Sequence, residues 1–259
     1  MTGFPARRSD VQFSRMMKVL IAGVLAAPLI AVAGDTDKKD SNSQMVDSGS
    51  LGVFVGGKRI ATETFSIQQS SSGSVISSQF KTEEGADKAA QTSELQLAPN
   101  GDIRKYEWKE ISPGKAQATV APSSDYLTEH ISGSPNEKPE DQPFMLPVST
   151  SVLDDYVFIH REVLIWRYLA STCKQEKGSV QCPANQKTQF GAINPHQRSS
   201  LPLSVEFQGR DKVSIRGAEK ELNKFLLRSE GGDWTLWLDD QFKLQRVLVA
   251  GDNTEVIRD

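Results

Sequence analysis

Residues 51–67 read Leu51-Gly52-Val53-Phe54-Val55-Gly56-Gly57-Lys58-Arg59-Ile60-Ala61-Thr62-Glu63-Thr64-Phe65-Ser66-Ile67. Leu51, Val53 and Val55 recur at every second position. After Gly56-Gly57 the same period returns, with Ala61, Glu63, Phe65 and Ile67 on one side and Thr62, Thr64 and Ser66 on the other. Period-two alternation on both sides of a two-glycine turn specifies a β-hairpin, because glycine enters the positive-φ region without a steric penalty.

Outward from this hairpin the same grammar repeats. Ser70 to Gly73 is a turn, and residues 75–80 a strand. Residues 93–98 and 102–111 flank Pro99-Asn100-Gly101, a second hairpin signal. Residues 115–120 and 125–131 continue the meander up to a Pro-rich, charged loop over 133–143. Further on, Leu201, Leu203, Val205 and Phe207 alternate with polar residues, and Gly209-Arg210 reads as a turn. Val213 and Ile215, residues 222–228, Trp234, Leu236 and Leu238 after the turn Gly231-Gly232-Asp233, residues 242–249 and residues 254–257 supply the remaining strands. Short strands at this spacing indicate an antiparallel sheet rather than βαβ units.

One helix interrupts the strands near 151–170. Ser151 with Asp154 resembles a capping box. Val152, Tyr156, Ile159, Val163 and Trp166 recur at steps of three and four, as do Leu153, Val157, His160, Leu164 and Arg167. Two such rows make a broad apolar stripe suited to packing across a sheet. The expected fold is therefore mainly β (α+β): a strongly curved antiparallel sheet or incomplete barrel around one long helix, forming a single domain over 49–259. Two small β domains joined near 131–150 are the alternative.

Residues 1–33 read as a secretory signal. Arg15 and Lys18 precede an apolar run over 19–32, and Ala31-Val32-Ala33 is an A-x-A cleavage site before Gly34. Met16 or Met17 gives a more compact functional start. The apolar run is shorter than a bilayer span, so the cleaved product is not expected to be an integral membrane protein. Residues 34–48 are polar and expected to form a flexible leader. Export makes the two cysteines, Cys173 and Cys182, a natural disulfide, and places the protein in the periplasm or outside the cell. The formal net charge is −3, and removal of residues 1–33 takes away four basic and one acidic residue. A surface of that sign argues against nucleic acid as a partner.

Several segments resemble a group of exported bacterial β-rich proteins of unknown function, similar in architecture to lipoprotein-carrier-like half-barrels. They are 52–65, with its G-x-x-x-x-G-x-x-x-A-x-E-x-F pattern, 95–101 with Tyr106-Glu107, and Leu153-Asp154-Asp155 with His160 and Leu164. Trp237-Leu238-Asp239 with Leu244, and Val256-Ile257-Arg258, complete the set. The resemblance implies a half-barrel around a helix and no established activity. It carries no counterpart of Cys173 and Cys182.

Five residues stand out as ligand-binding candidates. Glu63 and Arg246 interrupt apolar strand faces, so both would point into the sheet's concavity. His160 sits among apolar helix neighbours, where it is either a general base or a packed side chain. Trp108 and Trp166, with Trp234, Trp237 and Tyr106, would line an apolar pocket or fill the core. His130 and His196 fall in or near loops, and no His spacing suits a metal. No motif points to a cofactor or a nucleophile. The expectation is a non-enzymatic periplasmic protein binding an apolar or amphipathic ligand, such as a lipid, or an envelope protein. An envelope enzyme using His160 with Glu63 or Arg246, and an assembly partner without ligand, are the alternatives.

Overall fold

The hairpin at residues 51–67 is the centre of the fold in a computed structural model that describes residues 43–83, 88–133, 138–176, 179–251 and 253–259. β1 (Gln44–Val55) pairs antiparallel with β2 (Lys58–Ser70), and Val55 faces Lys58 across the turn. Gly56 and Gly57 take φ values of +57° and +80°, the two positive values that a tight hairpin turn of the primed type requires. Ala61, Glu63, Phe65 and Ile67 all face inward and are buried. β1 begins at Gln44, inside the stretch whose polar composition reads as leader. There Gln44 and Met45 pair with Gln69 and Gln68, and the buried Asp47 carboxylate takes a fork of hydrogen bonds from Arg258 at 2.6 and 2.9 Å. The signal, its Ala33-Gly34 junction and residues 34–42 lie outside the described residues.

From this hairpin the sheet grows in both directions. On one side follow β3 (Gly73–Thr82), β4 (Ala90–Leu97), β5 (Ile103–Ser112), β6 (Gln117–Ser123), β7 (Tyr126–Ser132) and the edge strand β8 (Glu140–Phe144). On the other side β1 pairs with β17 (Thr254–Arg258), followed outward by β16 (Leu244–Val249), β15 (Gly232–Leu238), β14 (Ala218–Ser229), β13 (Ser199–Ile215) and β12 (Lys187–Asn194). The short β9 (Ser151–Val152) forms the far edge, parallel to β12 and the sheet's one departure from antiparallel pairing. The fifteen strands do not close into a barrel. Residues 145–150 cross from one edge to the other, and Arg167 binds this crossing through the carbonyls of Ser149 and Thr150.

Three expectations need correction. Gly209-Arg210 is no turn: β13 runs through it, and Gly209, at φ +96°, marks a bulge where the register with β14 shifts. The reversal comes later, at Arg216-Gly217, with φ of +53° and +78°. The second correction concerns the helix, which is short. α1 spans His160–Thr172. Ser151 and Val152 pair with Ala192 and Ile193 instead, and Leu153 N–H donates to the Ile193 carbonyl at 2.9 Å. Asp154 uses its carboxylate on the N–H of Tyr156, 3.0 Å away, the local bond of an Asx turn that competes with helix. The third is Arg246. An extra residue, Gln245, lies between the positions facing Trp237 and Leu238, so Arg246 turns away from the buried Leu244.

The inner face of the sheet closes on α1. His160, Arg161, Glu162, Val163, Leu164 and Ile165 are all buried, so the first half of the helix is enclosed on every side. Val163, Leu164, Ile165 and Tyr168 share one core with Leu51, Phe65, Ile76, Leu95, Val120, Phe225, Leu236 and Val247. A smaller cluster of Val213, Ile215, Leu222 and Trp237 packs with Ile257 apart from that core. Cys173 and Cys182 form a disulfide that spans the hairpin of β10 (Lys174–Glu176) and β11 (Ser179–Gln181), directly after α1. No helix among the described residues is long and apolar enough to cross a membrane.

Candidate functional site

An enclosed helix start leaves backbone N–H groups that water cannot reach, and they need acceptors. α1 has no side-chain cap of its own. Glu63 of β2 supplies it from across the sheet, accepting from Phe158 N–H at 2.7 Å and Ile159 N–H at 3.4 Å, while Ser78 Oγ donates to it at 2.8 Å. Burial pushes this carboxyl up to about 7, against the opposing pull of those hydrogen bonds. The inward acid that interrupts the β2 pattern is thus a tertiary helix cap. Glu162, within the first turn of α1, also meets a backbone donor, accepting from Leu244 N–H at 2.5 Å. Burial raises its carboxyl to about 9.

Asp154 organises a second polar chain. Its carboxylate accepts from Tyr106 Oη at 2.5 Å and lies 2.7 Å from His196 Nδ1, whose Nε2 lies 3.0 Å from Gln91 Oε1. Burial pushes the Asp154 carboxyl up, but His196 and Tyr106 outweigh it and hold it below the usual carboxylate range. His196 then stacks on Trp108, ring centroids 4.1 Å apart and planes inclined by 24°. Trp108 and His196 open onto a cleft of about 810 Å³ between β5, β6 and β7 and the β12–β13 turn. Ala116 and Ile131 add apolar wall, and Lys138, Glu140 and Arg198 line it as charges. Arg198 ties the turn to edge strand β8 by an ion pair with Glu140 at 3.0 Å and by its carbonyl, which accepts from Gln142 Nε2 at 3.0 Å.

Beneath this cleft lies Glu129, fully buried. Neither of its carboxyl oxygens has a hydrogen-bond partner among the described residues, and neither does the indole N–H of Trp108. Burial pushes the Glu129 carboxyl up to about 7, with Arg198, His196 and the neighbouring Trp108 indole N–H acting in the opposite direction. With the Trp108 N–H close by but outside good hydrogen-bond geometry, the carboxyl carries most of its desolvation cost.

The five sequence candidates do not converge. Trp108 reaches the cleft; the other four do not line it. Glu63 caps α1. His160 is sealed in the core against the edge of the Tyr106 ring, 5.5 Å between centroids, and burial pulls its imidazole down to about 3. Trp166 donates its indole N–H to the Phe242 carbonyl at 2.9 Å and packs at the core margin. Arg246 forms an ion pair with Glu255 and lies over Trp237, 5.0 Å from the ring centroid, rather than meeting Glu63. Among the described residues no group of His, Cys, Asp or Glu could hold a metal ion.

The sequence candidates include neither Glu129 nor Arg198, and His196 is placed only in or near a loop. Glu129 carries the same signal as Glu63, an acid between inward-facing apolar residues, here Leu127 and Ile131. His196 offers none, since its partners are 42 and 105 residues away. No family model and no curated protein matches the chain. Among solved structures, a DUF1089 family protein from Pseudomonas aeruginosa is similar at 9% sequence identity, covering 72% of this chain and 88% of that chain, with a TM-score of 0.42.

Proposed function

We propose that the protein is a non-enzymatic, exported binding protein that takes a small amphipathic ligand in the cleft at Trp108, His196 and Arg198. α1 occupies the concavity of the sheet, which moves the ligand from an interior apolar pocket to this cleft at one end. The observation that carries the reading is the lining itself. Apolar Trp108, Ala116 and Ile131 meet charged Lys138, Glu140 and Arg198 around about 810 Å³, a size that suits a small organic molecule. The A-x-A motif at 31–33 and the disulfide support export to an oxidising compartment. The enzymatic alternative loses its base, because His160 is sealed from solvent, and its pair, because Glu63 and Arg246 lie apart.

The test is titration of the full chain, purified from an oxidising compartment, with the neutral amphipathic fluorophore laurdan. Saturable binding that Ala116→Trp removes, with an unchanged far-ultraviolet spectrum, is the expected result. Absence of saturable binding to the parent chain, or binding that survives Ala116→Trp, overturns the assignment. A processed first residue other than Gly34 overturns the proposed cleavage site.

A further inference from the structure

The β12–β13 turn has a second side. His196 and Arg198 face the cleft already described, whereas Asn194, Gln197 and Ser199 line a separate cavity of about 340 Å³. Its floor is Arg161, in the first turn of α1 and only 3% exposed. The guanidinium is held in a fixed pose. Nη1 donates to the carbonyls of Asp154 and Val157, both at 2.9 Å. The guanidinium carbon lies 4.2 Å from the centroid of the Trp234 ring, which walls the same cavity. A guanidinium has five N–H donors, and these two bonds use both hydrogens of Nη1. The Nε–H and Nη2–H edge meets no acceptor in the described protein, and neither atom is sealed from solvent.

The charge on this group is not matched by an ion pair. Asp155, an acid on the wall of the same cavity, spends its carboxylate on Asn194 Nδ2 at 2.6 Å and Gln197 Nε2 at 2.9 Å. Asp154, Asp155 and Glu63 act on Arg161 through space, while burial draws its guanidinium down to about 10. A buried cation without a partner is costly, and the free edge of a guanidinium has the geometry of a carboxylate. Leu153, Leu201 and Leu227 supply apolar wall beside it.

We propose that this cavity is a carboxylate site, in which the Nε–H and Nη2–H of Arg161 hold the two oxygens of a small monocarboxylate whose short apolar tail lies against Leu153, Leu227 and Trp234. Asp155 and Glu230 also border the cavity, and their charge favours a singly charged anion over phosphate.

Titration of the full chain with octanoate, followed by tryptophan emission and calorimetry, tests the site. Inorganic phosphate and octylamine serve as comparisons. Octanoate is expected to bind saturably with a Kd below about 1 mM. Arg161→Lys, which keeps the charge and loses the fork, weakens it by at least about tenfold. Ser200→Trp, at an exposed position on the cavity wall, abolishes it without touching Arg161, and decides the matter where Arg161→Lys does not fold. Ala116→Trp, in the other cleft, leaves octanoate binding unchanged. No saturable octanoate binding, equal binding of octylamine, tighter binding of phosphate, or binding that survives both Arg161→Lys and Ser200→Trp overturns the proposal.

Discussion

At the scale of single residues, the interior of this protein is unusual for the number of acids it encloses. Glu63 and Glu162 meet backbone donors around the start of α1, and each has a reason to be there. Glu129 has none within the described protein. Its carboxyl, pushed from 4.5 to about 7 in the folded state, keeps a proton that the unfolded chain releases earlier. The folded state therefore binds more protons between those values, and this group's contribution to stability is lost as pH rises through about 7. Glu129→Gln removes that loss. Urea denaturation should show the variant gaining roughly 1–3 kcal/mol on the parent between pH 4.5 and pH 8. A difference independent of pH would mean that the carboxyl is ionised and paired. Inward acids were visible in the sequence as breaks in an apolar alternation. What each one faces was not, because the facing groups come from segments far along the chain.

Elements were legible where local chemistry decides them. The alternation of residues 58–67 and the glycine pair at 56–57 reproduce β1–β2 with its turn. The bulges were not legible: Gly209 looks like a turn residue and is a kink within β13, and Gln245 silently reverses the face of Arg246. α1 was placed too early because Val152, Tyr156 and Ile159 happen to fit helical spacing while the backbone before the helix is claimed by β9 and by Asp154. At the other end of α1 the disulfide confines a nine-residue separation. The chain-entropy model gives about 2–3 kcal/mol for a loop of this length. The double variant Cys173→Ala with Cys182→Ala should therefore unfold at lower denaturant with an unchanged slope, as should the parent chain in reductant. Equal midpoints for oxidised and reduced protein would show that β10, β11 and the core margin hold α1 without the covalent link.

For the whole molecule, the long meander was legible and the pairing that joins its two halves was not. Nothing local announces that residues 51–55 pair with residues 254–258, because that ladder is set by the sheet as a whole. Two halves of the sheet meet there, β2 to β8 on one side and β16 to β12 on the other. The side chains reinforce the meeting: Arg258 forks Asp47, and Asp259 takes Arg59 and Arg216. A chain ending at Gly251 should lose its folded state altogether, since it exposes both flanking strands and the core residues Leu51, Val53 and Val247 beneath them. Circular dichroism and solubility would show this. Retention of a cooperative melt would mean that each half stands alone.

The β1–β17 pairing also sets an order of events. Gly52 and Ile257 are partners across some two hundred residues of chain, which is the kind of contact that slows folding most. The ribosome makes a chain from its N-terminal end, so β1 is present, with one side unpaired, while the other described strands are being made. Until residues 254–258 arrive, that bare strand is open to any other strand of the right length. Among the described strands, the one made latest is thus the one that shields β1.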